Sequence, residues 1–251
     1  MMFAVVFAVA FAAGAINSVA GGGTLLTFPI LIAYGIPAVV ANATSTVALV
    51  PGSMGAFWGF RKDTSTSRSG DVKLVVVSVL GGLVGALVLL RVGNAVFARL
   101  VPWLILSATG LFIAQEPLRR LSARARDAPE PGDLGRAGLF VQFLVAIYGG
   151  FFGAGSGILM LGVFGLLGYR DIHRMNRMKN LANVGFNAAA SVTFIVGRQV
   201  DWALASSMLL GAVIGGYGGA DVAKKIGQKN VKRVVVAVGL SMGVLTLVRP
   251  A

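Results

Sequence analysis

The chain has 251 residues, is 56% hydrophobic and only 12% charged, with a mean hydropathy of +0.83; a soluble domain would carry about 25% charged residues, so a soluble globular protein is excluded. Its net charge of +13 is segregated into the loops between apolar segments, as in the basic loops beside membrane helices, and is not a nucleic-acid footprint. The absence of cysteine and the single histidine, His173, exclude disulfides, thiol catalysis and multi-His or Cys metal sites, and no cofactor is expected.

The first apolar helix is expected over residues 2–17. It lacks a basic residue before it, so it reads as a retained membrane segment and not a signal peptide. The stretch Asn17-Ser18-Val19-Ala20-Gly21-Gly22-Gly23-Thr24 interrupts the apolar run, and a short segment follows from Thr24 to about Tyr34. Gly35-Ile36-Pro37 turns the chain, since proline disfavours helix at the residue before it. A helix from about Val39 to Phe60 carries Asn42, Thr44, Ser45 and Thr46 near its start and Pro51 within it, where a kink is expected. A charged loop covers 61–73, and helices at about 74–90 and 100–115 flank a connection holding Arg91 and Arg99. The polar stretch 116–136 reads as a solvated linker.

The remainder repeats the plan. An apolar run over 137–169 is interrupted by Gly149-Gly150-Phe151-Phe152-Gly153-Ala154-Gly155-Ser156-Gly157, a basic turn holds Arg170, Arg174 and Arg177, and helices follow at about 179–197, 202–219 and 232–248, with a basic loop at 220–233. Laying Gly21–Leu26 on Gly155–Met160 aligns the two interruptions and the helices after them. Such a duplication is a common sign of a transporter built from repeats. The expected domains are a first membrane repeat at 1–115, a cytoplasmic linker at 116–136 and a second repeat at 137–251.

Charge sets the expected orientation. The segments on either side of each interruption are too short for a full span of about 20 residues, so each pair reads as a hairpin of half-depth helices. Three crossings plus one hairpin per half invert the second half. The loops at 61–73, 116–136, 170–179 and 220–233 then share one side with 18 Lys and Arg, and only Arg91, Arg99, Arg198 and Arg249 lie opposite. This obeys the positive-inside rule. The fold class is therefore all-α: a polytopic membrane protein of two inverted repeats, each a Gly-broken hairpin plus three transmembrane helices, with both termini periplasmic.

Backbone polar groups freed inside hydrocarbon survive only where protein or a polar cavity covers them, and such breaks commonly build transporter sites. Thr24 and Ser156 stand where a second half-helix begins. Helix starts offer unpaired N–H groups and partial positive charge, which hold anions. Asn17, Ser18, Gly22, Gly23, Thr24, Gly155, Ser156 and Gly157 are therefore candidate substrate-binding residues, with the two breaks meeting at the centre. The competing reading is close packing of small residues, and it is preferred for Gly14, Gly81, Gly82 and Gly85. The Gly-x-Gly-x-Gly at 153–157 is not a nucleotide loop, because no Lys-Ser/Thr follows it.

Asn176, Asn180, Asn183 and Asn187 share one helix face by their spacing, with Lys179 beside it. Amide and hydroxyl donors suit an oxyanion, so Asn180, Asn183, Asn187 and Lys179 join the candidates, with Thr44 and Ser45 in the corresponding place of the first half. Interhelical hydrogen bonding is the alternative role for the stripe. Lys179 has two readings as well, as a partner for substrate charge or as a side chain that snorkels to the surface. Arg170, Arg174 and Arg177 read as topology signals and headgroup contacts. No Asp or Glu lies at membrane depth, so a carboxylate proton relay has no carrier there.

At these residues the sequence resembles the sulfite exporter TauE/SafE family, also called the toluene sulfonate uptake permeases. The similar stretches are GAINSVAGGGTLLTFP at 14–29, ANATST at 41–46, GFFGAGSG at 150–157 and MKNLAN at 178–183. The resemblance implies a bacterial inner-membrane transporter of small anions, with family substrates that include sulfite, sulfonates and sulfoacetate-like organic acids. Lys179-Asn180 stands where the first half has Thr44-Ser45, so the halves are not chemically equivalent.

The expected function is multi-pass transport of a small anion by alternating access, in contact with membrane lipid, without nucleic acid and without enzymatic activity; a homodimer is an allowed assembly. A passive anion channel and a membrane-embedded enzyme are the rivals, the second weakened by the lack of acid–base candidates. A lipid or protein scaffold fits the polar interior less well.

Overall fold

A computed structural model describes residues 1–19, 23–60, 67–123, 131–226 and 228–248; within these, side chains are described except at 17–19, 52–60, 115–123, 217–226 and 228–232. The described residues are helical or in turns, in the order α1 (Met2–Val19), α2 (Thr24–Ala33), α3 (Ala38–Phe60), α4 (Arg68–Ala123), α5 (Arg136–Phe151), α6 (Ser156–Leu166), α7 (Ile172–Val196), α8 (Trp202–Ile226) and α9 (Gln228–Val248). The protein is an all-helical membrane protein. Among the described residues, 68–114 is the stretch long and apolar enough to cross a bilayer by length and composition, and α1, α2, α5 and α6 are shorter apolar helices.

A short helix follows each interruption; the first interruption itself, 20–22, lies outside the described residues. Helices α2 and α6 contain 10 and 11 residues, which at ~1.5 Å per residue reach about half of a ~30 Å hydrocarbon core. They also end alike. After α2, the Ile36 N–H bonds back to Leu31 O and that of Gly35 to Ile32 O; after α6, Tyr169 bonds to Phe164 O and Gly168 to Gly165 O. Gly35 (φ +78°) and Gly168 (φ +94°) supply the left-handed residue that such a helix stop requires.

Several boundaries differ from those expected. The 91–99 connection is confined to one non-helical residue, Gly93 (φ 73°, ψ 173°), so α4 is two arms joined at a kink. Its second arm continues to Ala123, beyond the expected end at 115. Helix α7 begins at Ile172, so Arg174 and Arg177 sit on its first turns and not in a loop. Asp171 caps it by accepting the His173 N–H at 2.8 Å, a short polar signal easily lost among arginines. Helices α8 and α9 likewise run through most of the expected 220–233 loop. Helix α3 continues through Pro51.

The packing is reciprocal. Helix α1 lies chiefly on α8, and α5 lies on the first arm of α4. Small residues bring each pair together. A Cβ on Gly14 would stand 2.2 Å from Ala212 O, one on Gly215 2.0 Å from Phe11 O, and one on Gly85 2.0 Å from Ile147 O. Gly81 is pressed against Phe143 and Ala146, and Gly82 against Phe186. Gly14, Gly81, Gly82 and Gly85 are packing residues, as expected, and Gly215 is another, because membrane helices gain most from close van der Waals contact. Helix α3 bridges the halves by packing on α7 and α8, while α7 packs on α4.

Candidate functional site

The second break is built by a helix that stops and restarts. Helix α5 ends at Phe151; Phe152 leaves helical geometry, Gly153 (φ +77°) and Gly155 (φ +76°) take left-handed conformations, and α6 starts at Ser156. Three of the freed carbonyls are covered by side chains. The amide of Asn42 on α3 donates to Phe151 O at 3.2 Å, the Tyr148 hydroxyl donates to Ala154 O at 2.6 Å, and the Ser156 hydroxyl donates to Gly153 O at 2.8 Å. A carbonyl left bare here would cost about 1–3 kcal/mol, so these three donors fix the geometry of the break.

The amides are used less fully. In the first turn of α6, the N–H of Ser156 bonds to Gly153 O, and those of Ile158 and Leu159 bond to Gly155 O. The Gly157 N–H has no partner among the described residues. Lys179 lies beside it: a Cβ on Gly157 would stand 3.4 Å from Lys179 Cδ. Lys179 is 7% exposed, and its Nζ donates to Asn176 Oδ1 at 2.9 Å, one turn toward the start of α7.

The stripe on α7 is partly tied along its own helix. Asn187 Nδ2 donates to Asn183 Oδ1 at 2.7 Å and to Asn183 O at 2.9 Å, which leaves the Asn183 NH2 uncommitted. Asn180 is buried, and its side chain has no hydrogen-bond partner among the described residues. Gly157 and Lys179 thus meet where α6 and α7 pack, while Gly155 faces Ala108 of α4 and the Ser156 hydroxyl stays on Gly153 O; the uncommitted amides of Asn180 and Asn183 continue along α7. Among the described residues no cluster of acidic or metal-ligating side chains occurs. The result is rich in donors and suits an anion.

The first-half candidates are placed differently. Thr24 starts α2 as expected, and Gly23 precedes it, packed on α1 with a would-be Cβ 2.8 Å from Ala13 O. Gly22 lies outside the described residues, as do the side chains of Asn17 and Ser18 on the last turn of α1. Ser45 shares a 2.5 Å hydrogen bond with Thr27 of α2. Thr44 accepts the Asp201 N–H at 3.1 Å, where Asp201 itself caps α8 through the Leu204 N–H. Both are fully buried, and neither reaches the group around Lys179. The hairpins touch through aromatic rings, Phe28 of α2 meeting Phe152 edge-on at 5.3 Å.

Sequence reasoning missed three contributors. Asn42 was grouped with its neighbouring hydroxyls, although it repairs the break in the other half. Tyr148 carries a signal, a lone tyrosine beside Gly149-Gly150. Gln142 is fully buried on α5 and donates to Ser78 Oγ at 3.2 Å and toward Met160 Sδ at 3.6 Å; a single amide in an apolar run was the only clue. Arg174 and Arg177 also depart from expectation, since both bind protein groups: Arg177 pairs with Asp71 of α4, and Arg174 donates to Gly132 O.

The sulfite exporter TauE/SafE family model matches residues 6–246. A probable membrane transporter protein of Haemophilus influenzae is 28% identical over 243 residues, covering 96% of this chain and 92% of that protein. The probable membrane transporter protein YfcA of Escherichia coli K12 is 29% identical over 242 residues, covering 96% and 88%. A probable membrane transporter protein ORF9 of a Sinorhizobium species is 27% identical over 250 residues, covering 99% and 94%. No solved structure matches the chain.

Proposed function

The chain belongs to the sulfite exporter TauE/SafE family and is a membrane transporter, and on that premise we propose that it carries small sulfur-containing oxyanions or organic acids across a bacterial inner membrane by alternating access. One observation carries this reading: the uncommitted Gly157 N–H lies against the Lys179 side chain at a broken helix, with the spare amides of Asn180 and Asn183 next along α7. A helix start with a fixed cation beside it favours an anion by charge, and glycine lets the anion reach the backbone. In this reading the protein performs no covalent chemistry.

We place the basic loops on the cytoplasmic side and the two halves in opposite orientations. The half-length of α2 and α6, their matching end turns and the 18-to-4 partition of basic residues support that placement.

The test is uptake and efflux of sulfite, sulfoacetate and sulfate in proteoliposomes, with and without a pH gradient. Asn183→Leu is expected to lower transport at least tenfold, equivalent to about 1.4 kcal/mol, while the folded protein in the membrane stays within twofold. Equal loss of both would make the stripe a structural element. Flux that no ion gradient can drive uphill would identify a channel instead.

A further inference from the structure

The break between α5 and α6 leaves acceptors as well as donors without partners. At the end of α5 the Tyr148 carbonyl takes the N–H groups of Phe152 and Gly153. The carbonyls of Gly149, Gly150 and Phe152 accept no hydrogen bond among the described residues. Gly149 O faces Gly153, where an added Cβ would stand 3.0 Å from it. A further acceptor comes from the other half of the chain. Asn42 is 1% exposed; its Nδ2 is held on Phe151 O at 3.2 Å, and its Oδ1 is buried without a partner. Both atoms belong to one small planar amide, so the bond that anchors Nδ2 keeps Oδ1 at this end of α5.

This set of oxygens has a definite electrostatic preference. A helix C-terminus carries partial negative charge, and each buried acceptor left unmatched costs about 1–3 kcal/mol. A cation relieves both. Helices α3, α5 and α6 contain no Asp or Glu, so the ligands are neutral. Neutral oxygens suit a singly charged ion better than Ca2+ or Mg2+, which draw on carboxylates. The end of α5 is also closely walled: an added Cβ would stand 2.2 Å from Gly82 O at Gly150 and 2.7 Å from the Phe186 ring at Gly149. Such walls suit a small ion. Freed carbonyls at the C-terminal end of a broken helix hold Na+ in other transporters by the same physics.

We propose that Asn42 Oδ1 and the free carbonyls of Gly149, Gly150 and Phe152 form a Na+ site, and that Na+ bound there is coupled to the anion at the start of α6. The two ligands sit at helix ends of opposite sign, the cation at the negative end of α5 and the anion at the positive end of α6, separated by residues 152–155. Opposite charges attract more strongly in a water-poor interior, so each ligand strengthens the binding of the other. The Na+ site stands on its own geometry, and the coupling rests on the anion-transport reading above.

The site is tested first without sulfite or sulfoacetate. Melting midpoints of the detergent-purified protein are compared in NaCl, KCl and choline chloride at constant ionic strength. Na+ is expected to raise the midpoint saturably, by about 2–4 °C; equal midpoints in all three salts overturn the site. Asn42→Leu removes the donor to Phe151 O and lowers the midpoint in every salt, so its readout is the Na+ concentration at half effect, expected to rise at least about tenfold. Asn42→Asp adds charge at the same place and is expected to lower that concentration and to admit Ca2+, a gain that no packing role produces. Half-effect concentrations unchanged in both variants also overturn the site, and if neither variant accumulates, the salt series on the parent chain decides. The coupling is tested in proteoliposomes at equal pH and zero membrane potential. An inward Na+ gradient is expected to concentrate sulfite or sulfoacetate inside, and a choline gradient is not. Anion flux indifferent to Na+ overturns the coupling. A Na+ response of the midpoint in a chain that moves no anion under any gradient would instead remove the transport reading, so the two failures are distinct.

Discussion

At the scale of single residues, the buried amides divide by what their hydrogens do. Asn42 spends its NH2 on Phe151 O, so Asn42→Leu is expected to destabilise the fold by about 1–3 kcal/mol, read as a lowered melting midpoint in detergent with or without substrate. Tyr148→Phe removes the donor to Ala154 O and should act in the same direction. Lys179 makes a different prediction. Its stem packs on Gly157, so Lys179→Met keeps much of that contact while removing the charge, and is expected to lower anion flux at least tenfold, about 1.4 kcal/mol, with little change in melting midpoint. A large thermal loss with residual flux in proportion would assign Lys179 to structure.

At the scale of elements, glycine spacing decides how closely helices approach. Gly85 touches the backbone of α5 and Gly215 that of α1, so Gly85→Val and Gly215→Val are expected to overpack these contacts at a cost of about 1–3 kcal/mol or more, seen as less folded protein in the membrane. The helix break at 152–155 was legible in the sequence because an apolar run interrupted by several glycines has few other physical solutions. The starts at Thr24 and Ser156 followed from the glycine just before each. The Gly93 kink was not legible: nine residues with two arginines resemble a loop, and only the structure shows one residue taking all the bend while Asn94 accepts the Val39 N–H. Nor were the partners of Thr44 and Ser45, which come from Asp201 and Thr27; residue type marks a buried hydroxyl as polar and says nothing of which neighbour meets it. For the arginines of α7, composition favoured lipid headgroups, and the pairing with Asp71 depends on a contact 106 positions away in the chain.

For the whole molecule, neither half is self-contained. The leading helix of each half rests on the other, α1 on α8 and α5 on α4. Two fragments, 1–123 and 131–251, are therefore expected to accumulate in the membrane when produced together and to be degraded when produced singly; stable accumulation of either one alone would contradict the reciprocal packing. This arrangement also imposes an order on biogenesis. At roughly 5–20 residues per second of synthesis, the nascent chain must keep the face of its first helix that carries Ala10, Phe11 and Gly14 sheltered for on the order of ten seconds or more before the eighth leaves the ribosome. Quality control in the cell thus sees an unmatched first helix throughout most of translation, and premature stops upstream of α8 should be cleared as completely as those near the start.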